Sequence, residues 1–314
     1  MVRDVLNIET RMRILIAGGT GLIGKALIRR LQSNGFSIVV LSRSPGKFTE
    51  FQDVEVIHWD GRTTNGWGGL VKETDAVINL AGENIGRFPW TEKRKQEFRE
   101  SRVAAGHALV AAIKESARQP RVFIQASAVG YYGPRGAELV DESFDPGTDF
   151  SARLCMDWEN STKSIEDMGI RRVIIRTGIV LARKGGIFPQ MALPVKLYFG
   201  GRMGDGRQGI PWIHMEDEVG AIQFLLENGS ARGVYNLSGP APLSNAEFTK
   251  NIASVLKRPY WFHLPKTAVR LLLGEISSLL LNGQFQVPKK ILNLGYKFKY
   301  QTIEPALLDL IGNQ

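Results

Sequence analysis

An apolar run, Ile14 to Ala17, leads directly into GGTGLIG, and a helical repeat of apolar residues begins inside those glycines. Few local sequences restrict a fold as strongly. A strand that turns tightly into a helix needs glycine where the backbone bends (Gly18), where it approaches an anion (Gly21) and where helix meets strand (Gly24). The helix then presents free N–H groups to a pyrophosphate. Read from Gly18 the spacing is G-x-x-G-x-x-G; read from Gly19 it is G-x-G-x-x-G. With a strand before and a helix after, it predicts a dinucleotide site contacted by Gly18, Thr20, Gly21, Leu22, Ile23 and Gly24.

The rest of the chain supports a parallel sheet. Short β-branched runs at Ile14–Ala17, Ser37–Leu41, Val54–His58, Ala76–Leu80, Val122–Ala126, Val173–Thr177 and Gly233–Leu237 alternate with helical periodicity at Leu22–Asn34, Glu92–Ala117 and Ser151–Met168. This is the βαβ alternation of an α/β, doubly wound fold. After about residue 240 the sheet pattern stops, and helices are expected at Asn245–Leu256, Lys266–Leu281, Pro288–Asn293 and Ile303–Leu310. The reading divides the chain into a loose extension over 1–12, a nucleotide-binding domain over 13–240 and a small helical domain over 241–314. A Gly- and Pro-rich stretch at 185–209 reads as a long substrate-side loop.

Charge and cysteine content narrow the function classes. Lys and Arg outnumber Asp and Glu by 40 to 31, but the basic residues fall in short groups such as Lys93-Arg94-Lys95, Arg171-Arg172 and Lys289-Lys290. No groove-reading motif accompanies them, so no nucleic-acid partner is expected. Cys155 is the only cysteine and reads as a buried small residue; no Cys and His cluster offers a metal site. The first twelve residues lack the apolar core of a signal peptide. Ala268–Leu281, interrupted by Arg270 and Glu275, is shorter than the roughly 20 residues of a membrane span and reads as a packed or interface helix. A cytoplasmic chain, with no membrane partner and room for a homodimer, fits these features.

The second strand ends in Ser42 and Arg43 rather than in a carboxylate. Asp or Glu there would hold a ribose 2′-hydroxyl, whereas Ser and Arg suit a 2′-phosphate, so the cofactor is expected to be NADP(H). The fourth strand ends in NLAGEN: Leu80, Ala81 and Gly82 are small or apolar enough to lie against the cofactor, and Glu83 and Asn84 follow as candidate substrate contacts.

With these motifs placed, the chain from about Met12 resembles the extended branch of the short-chain dehydrogenase/reductase superfamily. GGTGLIG, NLAGENI, SAVGYYG, DWE, RTGIVL, PWIH and LPKTAVRLLLGE together resemble the atypical, sugar-nucleotide epimerase-like group with a small helical C-terminal domain. The resemblance implies a Rossmann domain that binds NADP(H). It adds Arg102 and Glu97 of ESRVAAGHALV and Val180 of RTGIVL as cofactor contacts, and His214 of PWIHMED as a substrate contact, with Asp217 supporting the helix start. Arg202 and Arg207 would suit a phosphate or carboxylate.

In that superfamily a Ser or Thr orients the substrate while a Tyr-x-x-x-Lys pair exchanges the proton. Ser127 matches the first element. None of the seven tyrosines has a lysine four residues on, and the helix that should carry the pair has Ser151 and Cys155, or one register away Phe150 and Leu154. Tyr132 is the best substitute and Tyr131 the weaker one; alternatively the YY pair is an aromatic turn. Two functions follow. One is an NADP(H)-dependent oxidoreductase or epimerase acting on a small polar, nucleotide-sugar-like molecule through Ser127 and Tyr132. The other is an NADP(H)-binding regulatory protein with little or no turnover.

Overall fold

The computed structural model describes residues 12–86 and 88–312, so most of the anticipated extension lies outside the described residues. Met12 itself packs against the core. Seven parallel strands form the central sheet: β1 (Arg13–Ala17), β2 (Ser37–Ser42), β3 (Val54–His58), β4 (Ala76–Asn79), β5 (Val122–Ala128), β6 (Arg171–Thr177) and β7 (Gly233–Leu237). Their order, β7-β6-β5-β4-β1-β2-β3, reverses direction between β1 and β4, and that switch point is where the GGTGLIG turn emerges.

Strand periodicity divides the core into two layers. In β1, Ile14 and Ile16 join the cluster containing Leu27, Ile28 and Leu31 of α1 (Leu22–Ser33), while Leu15 and Ala17 join Leu109 and Ile113 of α2 (Glu92–Glu115) on the opposite face. Both faces are covered, which is why these strands read as unbroken apolar runs.

Three expectations need correction. The helical pattern 151–168 breaks after α3 (Phe150–Asn160) into a 3-10 turn, Lys163–Met168. Ser161 Oγ and Thr162 Oγ1 bond back to the carbonyls of Trp158 and Glu159, competing with the next helical turn. The stretch 185–209 is partly ordered as α4 (Phe188–Lys196), with Pro189 in its first turn, and as a strand, Gly200–Met203, paired in parallel with Tyr260–Leu264. α4 packs with α6 (Asn245–Leu256) and α9 (Ile303–Ile311) around Phe188, Trp212, Phe248 and Leu307. The expected single helix 266–281 divides into α7 (Lys266–Leu273) and α8 (Ser277–Leu281) at Gly274, whose φ of +55 no ordinary helix continues.

The basic pair Arg171-Arg172 is buried rather than displayed. Arg171 donates to the carbonyls of Leu225, Leu226 and Ala231, closing the end of α5 (Met215–Glu227). Arg172 reaches Glu166, Thr162 and the carbonyl of Glu159.

Glu218 of α5 is fully buried, with Thr177 Oγ1 donating to its Oε1 at 2.8 Å and Oε2 left without a partner among the described residues. Burial pushes its pKa up to about 8. The folded state therefore holds the proton more tightly than the unfolded chain. Stability is full below the unfolded value near 4.5 and declines as pH rises towards 8. Glu218→Gln should remove most of that decline in melting temperature measured from pH 5 to pH 8; an unchanged slope would show that Glu218 is not its source.

Candidate functional site

At the switch point the glycines do what their spacing predicts. A Cβ on Gly18 would lie 2.5 Å from the carbonyl carbon of Leu80, and one on Gly24 would lie 2.5 Å from the Gly18 carbonyl oxygen. Gly18 also has φ +81. Gly21 caps α1 without any side-chain hydrogen bond, no acid occupies the first turn, and Thr20, Gly21 and Leu22 are exposed while Ile23 packs against the core. The uncapped N–H groups fit a pyrophosphate.

The NLAGEN loop is fixed from beneath. Asn79 donates to its register partner Gln125 at 3.0 Å and accepts from the N–H of Ala81. Arg102 is buried; it donates to the carbonyls of Phe98 and Glu83 at 3.0 Å, lies over the Trp158 ring and contacts the space above Gly82. Burial lowers its pKa to about 10. Arg102 thus supports the loop, and Glu97 lies on the exposed face of α2. Asn84 closes its own turn onto the N–H of Gly86. The Glu83 carboxylate stands 3.9 Å from the exposed Arg43, across from buried Ser42, which accepts from the N–H of Ser44. Glu83 therefore belongs to the end of the site where β2 terminates.

At the carboxyl edge of β5, β6 and β7 the register aligns Ser127 with Arg176 and Arg176 with Asn236. Cross-strand neighbours share a face, so the three side chains form one row. Arg176 donates from Nε and Nη2 to the two oxygens of Glu159 on α3, at 2.9 and 3.0 Å. Ser127 Oγ donates to Glu159 Oε1 at 2.6 Å. Burial works against the Arg176 charge, but the Glu159 bonds outweigh it and hold its pKa above the usual value.

This row corrects the expectation for Tyr132. Its ring is 0% exposed, its hydroxyl donates to Asn236 Oδ1 at 2.6 Å and accepts from Arg176 Nη1 at 3.1 Å. Burial pushes its pKa up to about 12, the wrong direction for a base near neutrality. Tyr132 is a packing member of the row, and Tyr131 stacks under the Arg176 guanidinium. Pro134 and the 3-10 turn Val129–Tyr132 keep both out of a helix.

Ser151 and Cys155 occupy the place where the missing pair is expected. A Cβ on Gly130 would meet Ser151 Cβ at 3.2 Å and Cys155 Sγ at 3.8 Å, so small residues let the turn after β5 sit directly on α3. Burial raises the Cys155 thiol to about 11, which disfavours the thiolate. Ser151 also lines a 510 Å³ cavity with Trp90, Phe150, Arg270, Ser278 and Asn282, between α3 and the α7–α8 segment. Lys95 of α2 bridges to Glu275 at 2.6 Å beside this cavity.

His214 is held inside the fold at the start of α5. It is 3% exposed, its Nδ1 accepts from the N–H of Glu216 at the start of α5, and its ring lies 4.0 Å from that of Tyr300. Nε2 stands 3.3 Å from Asp309 without hydrogen-bond geometry, and burial lowers the imidazole pKa. Asp217 ties α5 to the N–H groups of Lys299 and Tyr300. Val180 is half-buried against the main core, in a short strand paired with 212–214. Arg202 and Arg207 line a separate 560 Å³ cavity with Lys266.

Glu159 and Arg176 are the members of this site that motif reading passes over. The available signal is an arginine inside the apolar run VIIRTGIV, because a charge in a strand buried on both faces requires a buried partner.

Comparison with known proteins bears on this geometry. The NAD dependent epimerase/dehydratase family matches residues 14–238, and a domain of unknown function, DUF1731, matches 264–310. An epimerase family protein of Mycobacterium leprae is 38% identical over 94% of this chain and 94% of its own length. One from Bacillus subtilis is 37% identical over 96% and 99%. The crystal structure of a human epimerase family protein with NADPH superposes with a TM-score of 0.85 at 32% identity, covering 96% of this chain and all of that one.

Proposed function

The chain belongs to the NAD-dependent epimerase/dehydratase family, and we propose that it is an NADP(H)-dependent oxidoreductase or epimerase acting on a small polar molecule, with Ser127 and Glu159 handling the proton. The observation that carries this reading is the 2.6 Å bond from Ser127 Oγ to a carboxylate clamped by Arg176. NADP(H), when bound, would supply or accept a hydride. Because the Ser127 hydrogen points at Glu159, its oxygen lone pairs remain to accept a hydrogen bond from a substrate hydroxyl. As the substrate proton moves to Ser127 Oγ, the serine proton moves to Glu159 Oε1; reduction reverses both transfers. Arg176 orients the carboxylate bidentately and balances its charge.

Gly18, Gly21 and Gly24 would admit the pyrophosphate, with Thr20, Leu22 and Ile23 at the same turn and Leu80, Ala81 and Gly82 opposite. Ser42 and Arg43 would take the 2′-phosphate, and the NADPH-bound human relative supports that choice. A charged hydrogen bond to phosphate is worth about 1.5–3 kcal/mol. Arg43→Ala should therefore weaken NADPH binding roughly ten- to a hundredfold with little change for NADH. Equal affinities for the two cofactors in the parent protein would overturn the NADP(H) assignment.

The cavity lined by Ser151, Arg270 and Asn282 is the proposed substrate space; its mixed lining, with Asp149, Ser278 and these polar groups beside Trp90 and Phe150, supports a hydroxylated substrate. A protein of Corynebacterium glutamicum described as a nucleoside-diphosphate sugar epimerase, 30% identical with a TM-score of 0.78, makes sugar nucleotides the first class to assay; this chain covers 59% of it. Absence of NADPH oxidation and of epimerisation across carbonyl and sugar-nucleotide panels, with folded, cofactor-loaded protein, would sink the enzymatic reading.

One observation favours the regulatory alternative: Ser151 and Cys155 fill the place of the acid/base pair, and Gly130 packs against them. Under that alternative NADPH raises the melting temperature and changes affinity for a protein partner, without turnover.

A further inference from the structure

Residues 193, 197–199 and 261 carry an exposed apolar face that lies outside the buried clusters. Leu193 and Leu197, one turn apart on α4 and just beyond it, are 52% and 57% exposed; Tyr198, Phe199 and Trp261 are 54%, 53% and 65% exposed. These residues form one surface. Trp261 Nε1 donates to the carbonyl of Tyr198 at 2.9 Å, Phe262 meets both Phe199 and Trp261 edge-on, and the strand that follows Phe199, Gly200–Met203, pairs with the strand carrying Trp261 and Phe262. Tyr198 has φ +69, a left-handed conformation that a tyrosine adopts only when its surroundings impose it. Exposed aromatic area on a strained backbone points to use outside the monomer.

The charge around this face selects the partner. No Asp or Glu occurs from Ala182 to Gly204 or from Phe248 to Gly274, the two segments that build it. Exposed Lys257 and Arg258 border it, and the Arg258 guanidinium lies 4.4 Å over the Tyr198 ring. Leucines with Tyr and Trp, bordered by cations and built on two segments that contain no Asp or Glu, match the boundary between anionic headgroups and acyl chains. The indole N–H is already satisfied within the chain, so Trp261 needs only an apolar medium for its ring. A second copy docking through the same face would bring Lys257 and Arg258 towards their own counterparts, which opposes self-association.

We propose that this face seats the protein on the surface of a membrane rich in anionic phospholipid. Among the described residues no helix is long and apolar enough to cross a membrane, so the contact is peripheral. It goes beyond the partners expected from the sequence, and it stands independently of the chemistry proposed at Ser127.

Co-sedimentation of the full chain with vesicles of equal parts phosphatidylcholine and phosphatidylglycerol, against phosphatidylcholine alone, tests this. Binding should favour the anionic vesicles at least about tenfold at low salt and weaken as salt rises, because each basic residue near such a surface contributes about 1 kcal/mol, a fivefold change. Lys257→Glu with Arg258→Glu, and separately Leu197→Ser with Trp261→Ser, should each reduce binding by about tenfold or more. NADPH affinity, read on the same variants, reports that they remain folded. No binding to anionic vesicles, or binding that both folded double variants retain, would overturn the proposal. So would concentration-dependent dimerisation of the parent that Trp261→Ser abolishes, because a second copy would then be the occupant.

Discussion

Replacing Arg176 with methionine should cost about 3–5 kcal/mol of folding stability, the expected price of leaving a buried carboxylate unpaired. Arg176 is 4% exposed and Glu159 8%, so solvent cannot take over either charge. The loss extends beyond the ion pair, because the Arg176 side chain also donates to the buried Tyr132 hydroxyl. Denaturant unfolding of the parent, Arg176→Met and a double variant with Glu159→Leu will separate these contributions. The double variant should recover much of the loss, since a buried pair replaced by apolar groups is often near neutral. A single-variant loss below about 1 kcal/mol would place the pair in the class of exposed salt bridges and contradict its buried geometry.

Ser127→Ala and Glu159→Gln should each lower kcat/KM by about 10² to 10⁴, the usual contribution of a positioned general base. The double variant should be little worse than either single one, because the two residues act on one proton. Glu159→Gln keeps the size and one acceptor oxygen of the side chain but removes the charge that receives the proton. Its unfolding curve, measured alongside, distinguishes loss of chemistry from loss of fold. Tyr132→Phe removes a hydroxyl bonded to Asn236 and Arg176 and should affect stability by about 1–3 kcal/mol. Its effect on turnover should stay well below that of Ser127→Ala.

Local physics made much of this architecture legible. Apolar β-branched runs placed all seven strands of the sheet, and the glycine spacing located the tight approaches of Gly18 to Leu80 and of Gly24 to Gly18. Those constraints act within a few residues. What was not legible depends on register. Ser127, Arg176 and Asn236 are far apart in sequence and meet only because three parallel strands align them, while Glu159 arrives from a helix packed on that row. Tyr132 looked available because it holds the position at which the resembled family places a tyrosine after the serine; the 3-10 turn instead carries its hydroxyl into the row. The His214 motif supplies a helix cap beside Asp309 and Tyr300, which its sequence did not disclose. The order within 185–209 was hidden because its strand partner, Tyr260–Leu264, lies far along the chain.

The central claim is that proton transfer has moved from a tyrosine–lysine pair to Ser127 and Glu159. The most direct test is single-turnover NADPH oxidation with an active carbonyl or sugar-nucleotide substrate, compared in the parent, Glu159→Gln and Tyr132→Phe. The account predicts a rate at least about a hundredfold lower in folded Glu159→Gln and nearly preserved in Tyr132→Phe. A preserved rate in Glu159→Gln with a collapse in Tyr132→Phe would contradict it.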